Sequence, residues 1–503
     1  MERSVVSRNS KIVERRNNML TLVILAVYML AMLAVGLYLK NKVDSSEDYY
    51  VAGRALPWYL VVMTMAATYI GAGATLADTG LAYDQGVSMF IATLVTMAAM
   101  FLFGLISPRV NKIGFKYDII SVSGLVSWRF GKWAGVFSAV IVIWALTGTL
   151  AGQVSGSATV IPVIFNNVGI SMSYEVAAVA MTLVMITYTC LAGMFGVAWT
   201  DFIQCIILVI GMAVILPALM ISEAGGMSDV MANLPEGHLD WSPGPYIISL
   251  AFTYLLYFFA GPPYWQRAFS SDSPKTSRIG AIGGVTIILF YSVMILILGL
   301  VARAMVPVLP EGVQSQGIVV TIMCDLFHPV IAAIICCSIL AAIMSTMSSY
   351  LLTAVQALIT DLIKPFRKMT DKGELLLAKI LVVAVGVACL LVALYVQAIL
   401  DILLMAWGFY SASMAASVVA AVFWKKATAA GSIASIFGGV IMYFTWNYAL
   451  HMPGGFDASI TAGITSILLM IIVSLITYGS HPTSMFEGVE KNDPVVRKIA
   501  VTE

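Results

Sequence analysis

The chain has 503 residues, of which 60% are hydrophobic and only 11% are charged, and its formal net charge is +1. A water-soluble chain of this length would form several domains with charged surfaces. The composition therefore excludes an ordinary soluble protein and indicates a chain surrounded by a lipid bilayer. We expect no nucleic-acid partner.

Apolar runs long enough to cross a bilayer recur from Met19 to Tyr478, and they number about 13 when each needs roughly 20 residues. Short alternating segments typical of transmembrane β-strands are absent from the sequence. The first run, Met19 to Leu39, has full spanning length and is followed by Lys40, so we interpret it as a retained helix. The sequence predicts an all-α polytopic membrane protein with about 13 transmembrane helices.

Two of these spans are interrupted near their middle. Trp58–Tyr83 contains AATYIGAGATLADTG, and Tyr246–Phe269 contains YFFAGPPYWQR. A proline inside a helix removes a donor from the hydrogen-bond ladder and crowds the preceding turn. Glycine and proline also mark simple kinks in membrane helices. A pair of breaks at similar depth, five spans apart, favours an inverted-repeat transporter with five helices per repeat.

This symmetry defines the predicted organisation. We expect an N-terminal tail over 1–18, an extra first helix and loop over 19–54, a first repeat over 55–221, an extracellular loop over 222–245, a second repeat over 246–424, two additional helices over 425–479, and a cytoplasmic tail over 480–503. Lys and Arg concentrate in alternate loops, which places the C-terminus in the cytoplasm and the N-terminus outside. The basic N-terminal tail disagrees with that pattern.

A cluster of hydroxyl side chains lies within the apolar segment AAIMSTMSSYLL, which begins at Ala341. On a helix, Ala342, Ser345, Thr346 and Ser349 share one face, and Ser348 flanks it. One explanation is helix packing, because Ser and Thr hydroxyls often bond back to their own helix. The other is a site for a monovalent cation, with further oxygens supplied by carbonyls freed at a helix break.

No motif for ATP binding, paired catalytic carboxylates or metal-ligand cluster appears in the sequence, so we expect a transporter and not an enzyme. The segments AAIMSTMSSYLL, GRALPWYL, AATYIGAG, YTCLAGMFGVAWTDFIQ and PPYWQR together resemble the sodium/solute symporter family. The resemblance covers about Ser45 to Trp424 most clearly. It implies a leucine-transporter-like core whose first and sixth helices are discontinuous.

The resemblance also implies ion ligands. The sodium site of the family corresponds here to the carbonyls and hydroxyls of Ala67, Ile70, Ala342, Ser345 and Thr346. A second sodium, bound by some members, would use Asp201, Ser345, Ser348 and Ser349. The first broken helix offers Gly71 and Ala74 where those members have hydroxyls, which puts the second ion in doubt. An alternative role for Asp201 is to cap a helix over Phe202–Ile221.

The solute pocket is expected where the two breaks face each other. The resemblance points to Gly71, Ala72, Gln153, Tyr254, Tyr257, Phe258 and Pro262, with Tyr257 as an inner aromatic gate. Packing against neighbouring helices is the competing explanation for the aromatic residues. Arg267 is expected to be an anchor at the membrane boundary. We find no titratable group beside the breaks, which favours a neutral or zwitterionic solute or a small acid.

The resulting prediction is a sodium-coupled symporter that imports a small organic solute, such as an amino acid or monocarboxylate, by alternating access. Sodium is the coupling ion, and no other cofactor is expected. One alternative is a proton-coupled transporter of the same fold. Another is a transporter-like sensor that acts with a separate signalling partner. The chain is expected in a prokaryotic inner membrane.

Overall fold

The computed structural model describes residues 2–39 and 45–478 of the chain. The predicted cytoplasmic tail over 480–503 lies outside the described residues. Regular structure within the described part is helical, apart from an isolated parallel bridge between Leu56 and Ser271. Helix α1 begins at Glu2, so the backbone of the segment predicted as an N-terminal tail continues into the first span.

Ten helices precede the second broken span: α1 Glu2–Leu39, α2 Ser46–Val51, α3 Trp58–Tyr69, α4 Asp78–Gln85, α5 Phe90–Tyr117, α6 Val122–Phe130, α7 Lys132–Asn167, α8 Tyr174–Leu208, α9 Leu216–Glu223 and α10 Met227–Asn233. The rest of the described chain forms α11 Pro245–Ala260, α12 Pro262–Ser270, α13 Pro274–Met305, α14 Ile318–Leu326, α15 Pro329–Gln356, α16 Asp371–Tyr395, α17 Ile399–Phe423, α18 Ala429–Phe444 and α19 Ala458–Thr477. Wider π-helical turns adjoin α4, α8, α15 and α18, at Gly73–Ala77, Val209–Ile215, Ala357–Ile363 and Thr445–Ala449.

In the described part of the chain, 11 helical segments are long and apolar enough to cross a membrane. Shorter apolar helices cover Trp58–Tyr69, Tyr174–Thr187 and Ser315–Leu326. The first two occupy positions where the sequence predicts separate spans. The all-helical, polytopic architecture is confirmed, and the predicted count of about 13 spans is approximate.

Both predicted helix breaks are present. Helix α3 ends at Tyr69, and Ile70 leaves the helical conformation with φ −79° and ψ 84° before the chain resumes at Gly73. Helix α11 ends at Ala260, and Gly261 has ψ 125° ahead of Pro262, the first residue of α12. Proline suits this first helical position because it needs no N–H there. Each interrupted span therefore consists of two half-helices that meet inside the bundle.

The two repeats pack in matching pairs. Helix α5, which follows the first broken span, packs against α11 of the second broken span. In the same way α13, which follows the second broken span, packs against α3 of the first. Helix α15 contacts both α7 and α8. Three glycines on α7 allow close approach of its neighbours: a Cβ placed on Gly148, Gly152 or Gly156 would lie 2.6, 2.8 or 2.4 Å from side-chain atoms of Ala406, Leu403 or Ala72. Close packing against α7 at these three positions therefore depends on glycine.

The predicted cytoplasmic ends of the two broken spans are joined through their backbones. The N–H of Leu56 donates to the carbonyl of Ser270 over 3.0 Å, and the N–H of Asp272 donates to the carbonyl of Leu56 over 3.1 Å. The side-chain amide of Asn111, on α5, donates to the carbonyl of Ser271 over 3.0 Å. These bonds hold the two broken spans against each other and against α5 at this end of the bundle.

Candidate functional site

The hydroxyl-bearing face of α15 meets the last turn of α3. The Ser345 Oγ lies 3.0 Å from the carbonyl oxygen of Ala67 and 2.9 Å from that of Ala342. The Thr346 Oγ1 lies 3.3 Å from the Ala67 oxygen, 3.4 Å from the Thr68 oxygen and 3.2 Å from the Ala342 oxygen. Both hydroxyl side chains are buried.

The carbonyls of Ala67 and Thr68 are available because α3 breaks. In a continuous helix they would accept from the N–H groups of Gly71 and Ala72. The Gly71 N–H instead donates to Tyr69, over 3.0 Å, and the Ala72 N–H donates to the Gln153 side chain, over 2.7 Å. The freed carbonyls therefore face the α15 hydroxyls.

This group of oxygens contains fewer hydrogen-bond donors than acceptors. The two hydroxyls can donate one hydrogen each, yet together they lie within hydrogen-bond distance of three carbonyl oxygens. A cation placed among several oxygens would compensate their partial negative charges, as expected of a hard-cation site. Four of the predicted sodium ligands meet here, and the fifth, Ile70, lies at the adjoining break and is buried.

A second buried cluster surrounds Asp201. Its Oδ2 accepts from Thr64 over 2.5 Å and from Ser349 over 3.3 Å, and it lies 3.8 Å from the guanidinium of Arg267. Arg267 also donates to the Ser349 hydroxyl, and the Thr68 hydroxyl donates to the same oxygen over 3.2 Å. The side chains of Asp201 and Arg267 are both completely shielded from solvent.

These contacts correct two predictions. Arg267 is not a boundary anchor, because its side chain is buried against Asp201, Ser349 and the half-helix α3. Asp201 is not a helix cap, because it lies inside α8, beyond the break at Gly193. The predicted second-sodium set is also only partly assembled. The hydroxyl of Ser348 donates to the carbonyl of Ser345 in its own helix, over 3.0 Å.

A small cavity of about 20 Å³ lies between the two breaks, enough space for about one water molecule. Of the predicted pocket residues, Gln153, Tyr254 and Phe258 line it. The other lining residues are Thr68, Tyr69, Gly73, Ala74, Asp78, Thr149, Thr346, Tyr350 and Trp407. The protein is contracted around this cavity, so a solute of several heavy atoms requires the two half-helix pairs to move apart.

The remaining predicted pocket residues surround the lining. A Cβ on Gly71 would lie 2.6 Å from both the Gln153 Oε1 and the Thr346 Oγ1, so only glycine fits between them. Ala72 contacts Gln153 through its N–H. Pro262 begins α12 and is not among the lining residues.

Tyr257 lies behind the cavity wall. Its ring stacks on Trp407 with a centroid distance of 5.0 Å and an interplanar angle of 27°. Its hydroxyl lies 3.4 Å from that of Tyr350. Tyr257 thus supports two lining residues, and its role as a gate stays a prediction.

Asp78 and Trp407 are the main pocket residues that the sequence reasoning missed. Asp78 is a carboxylate within an apolar span, a feature that by itself suggests function and could have been recognised. Trp407 comes from α17, far from either break in the sequence, and no local pattern indicates its position.

A larger cavity of about 610 Å³ opens at the side of the predicted cytoplasmic loops. Its ionisable lining residues are mostly acidic: Glu47, Asp118, Asp361, Asp371 and Glu374, with Lys364 as the basic member. Gln266 and Gln356 lie between this vestibule and the Asp201 cluster. Gln266 donates to the carbonyl of Tyr50 over 3.0 Å, and Gln356 to that of Ile120 over 2.7 Å.

A polytopic bundle with two interrupted spans, and with hydroxyls facing freed carbonyls between them, defines a secondary transporter with a cation site. The model of the Sodium:solute symporter family matches residues 49–439, and the chain belongs to that family. It is an integral membrane protein that couples solute transport to sodium, and not an enzyme. The resemblance noted in the sequence is confirmed.

Curated relatives match nearly the full chain. The high-affinity proline transporter PutP of Bacillus subtilis is 28% identical, with 89% of this chain and 96% of the relative covered. A sodium/proline symporter of Staphylococcus aureus is 26% identical, with 92% and 93% covered. Among solved structures, a Na⁺-coupled sialic acid symporter in a substrate-bound outward-open state superposes with a TM-score of 0.78 at 20% identity, and 91% of this chain and 98% of that chain are covered. This likeness confirms the five-plus-five fold.

Proposed function

We propose that the chain imports a small organic solute together with one sodium ion by alternating access. The sodium ion is bound by the carbonyls of Ala67, Ile70 and Ala342 and by the hydroxyls of Ser345 and Thr346. The carrying observation is the convergence of the Ser345 and Thr346 hydroxyls on the carbonyls of Ala67 and Thr68, which the break in α3 has freed. All of these ligands are neutral, so the site is weak, which suits an ion that must bind on one side and leave on the other.

Coupling follows from residues that the ion site and the solute cavity share. Thr346 contacts the Ala67 carbonyl and also lines the cavity. It also approaches Gly71, which lies beside Gln153. A sodium ion between Ala67 and Thr346 would fix α3 against α15 and so order one wall of the solute cavity. Each ligand then binds more tightly when the other is present, as linkage requires.

The contacts within the Asp201 cluster favour transport with one sodium ion and not two. Arg267 already supplies a positive charge to Asp201 and Ser349, two members of the predicted second set. A second sodium there would have to displace or repel this guanidinium, at a high electrostatic cost inside the protein. We infer that Arg267 and Asp201 hold α12, α8 and α15 together during transport.

The solute is small and related to proline in size, since the relatives are named proline transporters or sodium/proline symporters. It binds between the breaks, against Gln153, Tyr254 and Phe258, with Gly71 and Ala72 fixing the backbone beside them. Tyr257 supports the pocket wall from behind through Trp407, and Pro262 begins the half-helix that follows the second break. The acidic vestibule is the exit for sodium on the cytoplasmic side of a bacterial plasma membrane.

Uptake assays test this proposal. Cells that produce the protein would receive radiolabelled proline and other amino acids in sodium or potassium buffer of equal ionic strength. We expect uptake of at least one compound only with sodium. Ser345→Ala and Thr346→Ala should raise the sodium concentration needed for half-maximal uptake. Ser338→Ala is the matched control, because this buried α15 hydroxyl donates back to Ile334 of its own helix.

Two results would contradict the proposal. If the wild type and both ion-site variants depend on sodium equally, the hydroxyls serve helix packing and are not sodium ligands. Uptake driven by a pH gradient in sodium-free buffer would select the proton-coupled alternative.

A further inference from the structure

Asp78 is a buried acidic residue that is not part of the proposed sodium site. It is the first residue of α4, in the half of the broken span that leads away from the vestibule, and its residue exposure is 5%. Its side chain lines the central cavity. Within residues 2–39 and 45–478, no side-chain hydrogen bond or ion pair to Asp78 is found. Asp201 and Asp361, the other buried aspartates, both accept from hydroxyl groups.

An ionised carboxylate without a partner is costly inside a membrane protein, and such residues usually face a ligand or a charge partner. Across the cavity from Asp78, the lining offers no lysine or arginine. A positive charge that complements the ionised form of Asp78 would therefore come from what enters the cavity.

The aromatic part of the cavity wall favours an organic cation over a second metal ion. Five aromatic residues line the space: Tyr69, Tyr254, Phe258, Tyr350 and Trp407. The Phe258 ring centroid lies 5.0 Å from that of Tyr69, 5.4 Å from that of Tyr254 and 5.4 Å from that of Trp407. Aromatic faces attract ammonium groups and cover their apolar substituents, whereas a sodium ion requires several oxygen ligands.

We propose that the transported solute carries an ammonium group, protonated or quaternary, that pairs with Asp78 while its apolar part packs against these rings. This inference rests on the proposed function and names the chemical class of its solute. It replaces the expectation, drawn from the sequence, that no titratable group lies beside the breaks.

Binding to the purified full-length protein in saturating sodium tests the inference. The probes are matched pairs that differ in charge: choline against its uncharged carbon isostere dimethylbutanol, and butylamine against butanol. Glycine betaine and proline report on zwitterions. Calorimetry and thermal stability should show binding of ammonium compounds and not of their uncharged partners. Asp78→Asn should weaken that binding at least about 30-fold, as expected when one partner of a buried charge pair is removed.

Asp84→Asn is the matched control, because Asp84 lies on the same helix and is exposed. The sodium response of Asp78→Asn reports that the variant is folded and that its ion site is intact. Ammonium binding that is unchanged in Asp78→Asn would overturn the inference, and so would wild-type protein that responds to sodium but binds no ammonium probe. Wild-type protein without any sodium response would contradict the proposed function instead. The pairs of charged and uncharged probes test the wild type alone, so the result does not depend on a variant that folds.

Discussion

Replacement of Ser345 by alanine is the most direct test of the ion site. The change removes one hydroxyl, which lies 3.0 Å from the Ala67 carbonyl oxygen and 2.9 Å from that of Ala342. Thr346 still contacts both carbonyls, over 3.3 and 3.2 Å, so the helices stay in contact while the site loses an oxygen. The substitution should therefore lower sodium affinity far more than it lowers stability without sodium.

The size of the effect can be estimated. A ligand that binds only the folded protein at 100 times its Kd adds about 2.7 kcal/mol to the free energy of unfolding. A millimolar site in 100 mM sodium meets that condition. Loss of one bond to a charged group costs about 2 kcal/mol, which corresponds to a roughly 30-fold higher Kd. The sodium-dependent stabilisation of Ser345→Ala at 100 mM would then fall to about 0.9 kcal/mol.

The assay is thermal unfolding of the purified protein in sodium chloride, with potassium chloride keeping ionic strength constant. Ser338→Ala, on the same helix, should keep the full sodium response, and so should Ser348→Ala, whose hydroxyl donates to Ser345 of its own helix. A full sodium response in Ser345→Ala would refute the assignment of its hydroxyl as a ligand. An equal loss in all three variants would point to general loosening of α15.

Three further predictions concern the breaks and the buried ion pair. Gly71→Ala should abolish sodium-dependent uptake, because the added Cβ would lie 2.6 Å from two side-chain oxygens. Gly244→Ala is the control and should keep uptake, because a Cβ there meets nothing within 4 Å. Normal uptake in Gly71→Ala would contradict the close packing at the break. Arg267→Gln should lower the free energy of unfolding by about 3 kcal/mol, and Asp201→Asn in the same chain should restore part of it; additive losses in denaturant unfolding would show that the two charges do not interact. Tyr410→Phe removes the hydrogen bond of 2.6 Å to the carbonyl of Ala260, the last residue of α11. The free energy of unfolding should fall by about 1–3 kcal/mol in the same assay. No loss would show that another donor satisfies that carbonyl.

The helix breaks and the hydroxyl face could be predicted because their causes are local. Gly261 is followed by two prolines, which remove consecutive donors from the helix ladder, and the spacing of Ser345 and Thr346 places them on one side of α15. The close packing at the glycines of α7 has a similarly local cause, since small residues at four-residue spacing let helices approach closely. Each of these features depends only on residues that lie within a few helical turns of one another in the sequence.

The environments of Arg267 and Asp78 could not be predicted in this way. Arg267 occurs near the end of its span, where arginine commonly reaches the membrane surface. Its burial depends on Asp201 and Ser349, which come from α8 and α15 and are distant in sequence. The pocket also depends on Trp407, which α17 brings against Tyr257. Tertiary packing, and not local pattern, decides which polar residues in this chain face a ligand.

The charges inside the bundle bear on the driving force for transport. Arg267 and Asp201 cancel each other, and the sodium ligands are neutral, which leaves Asp78 as the fixed charge at the solute cavity. With a neutral or zwitterionic solute, one sodium ion at a tenfold gradient and 100 mV supports a solute gradient of about 500-fold. A solute with net positive charge moves through the same potential, and the attainable gradient rises to about 25,000-fold. Two charges would then cross the membrane per solute molecule, and Asp78 would screen the second of them inside the protein. The reversal potential of transport measures that ratio, and a value of one charge per solute would restrict the ammonium compounds to zwitterions.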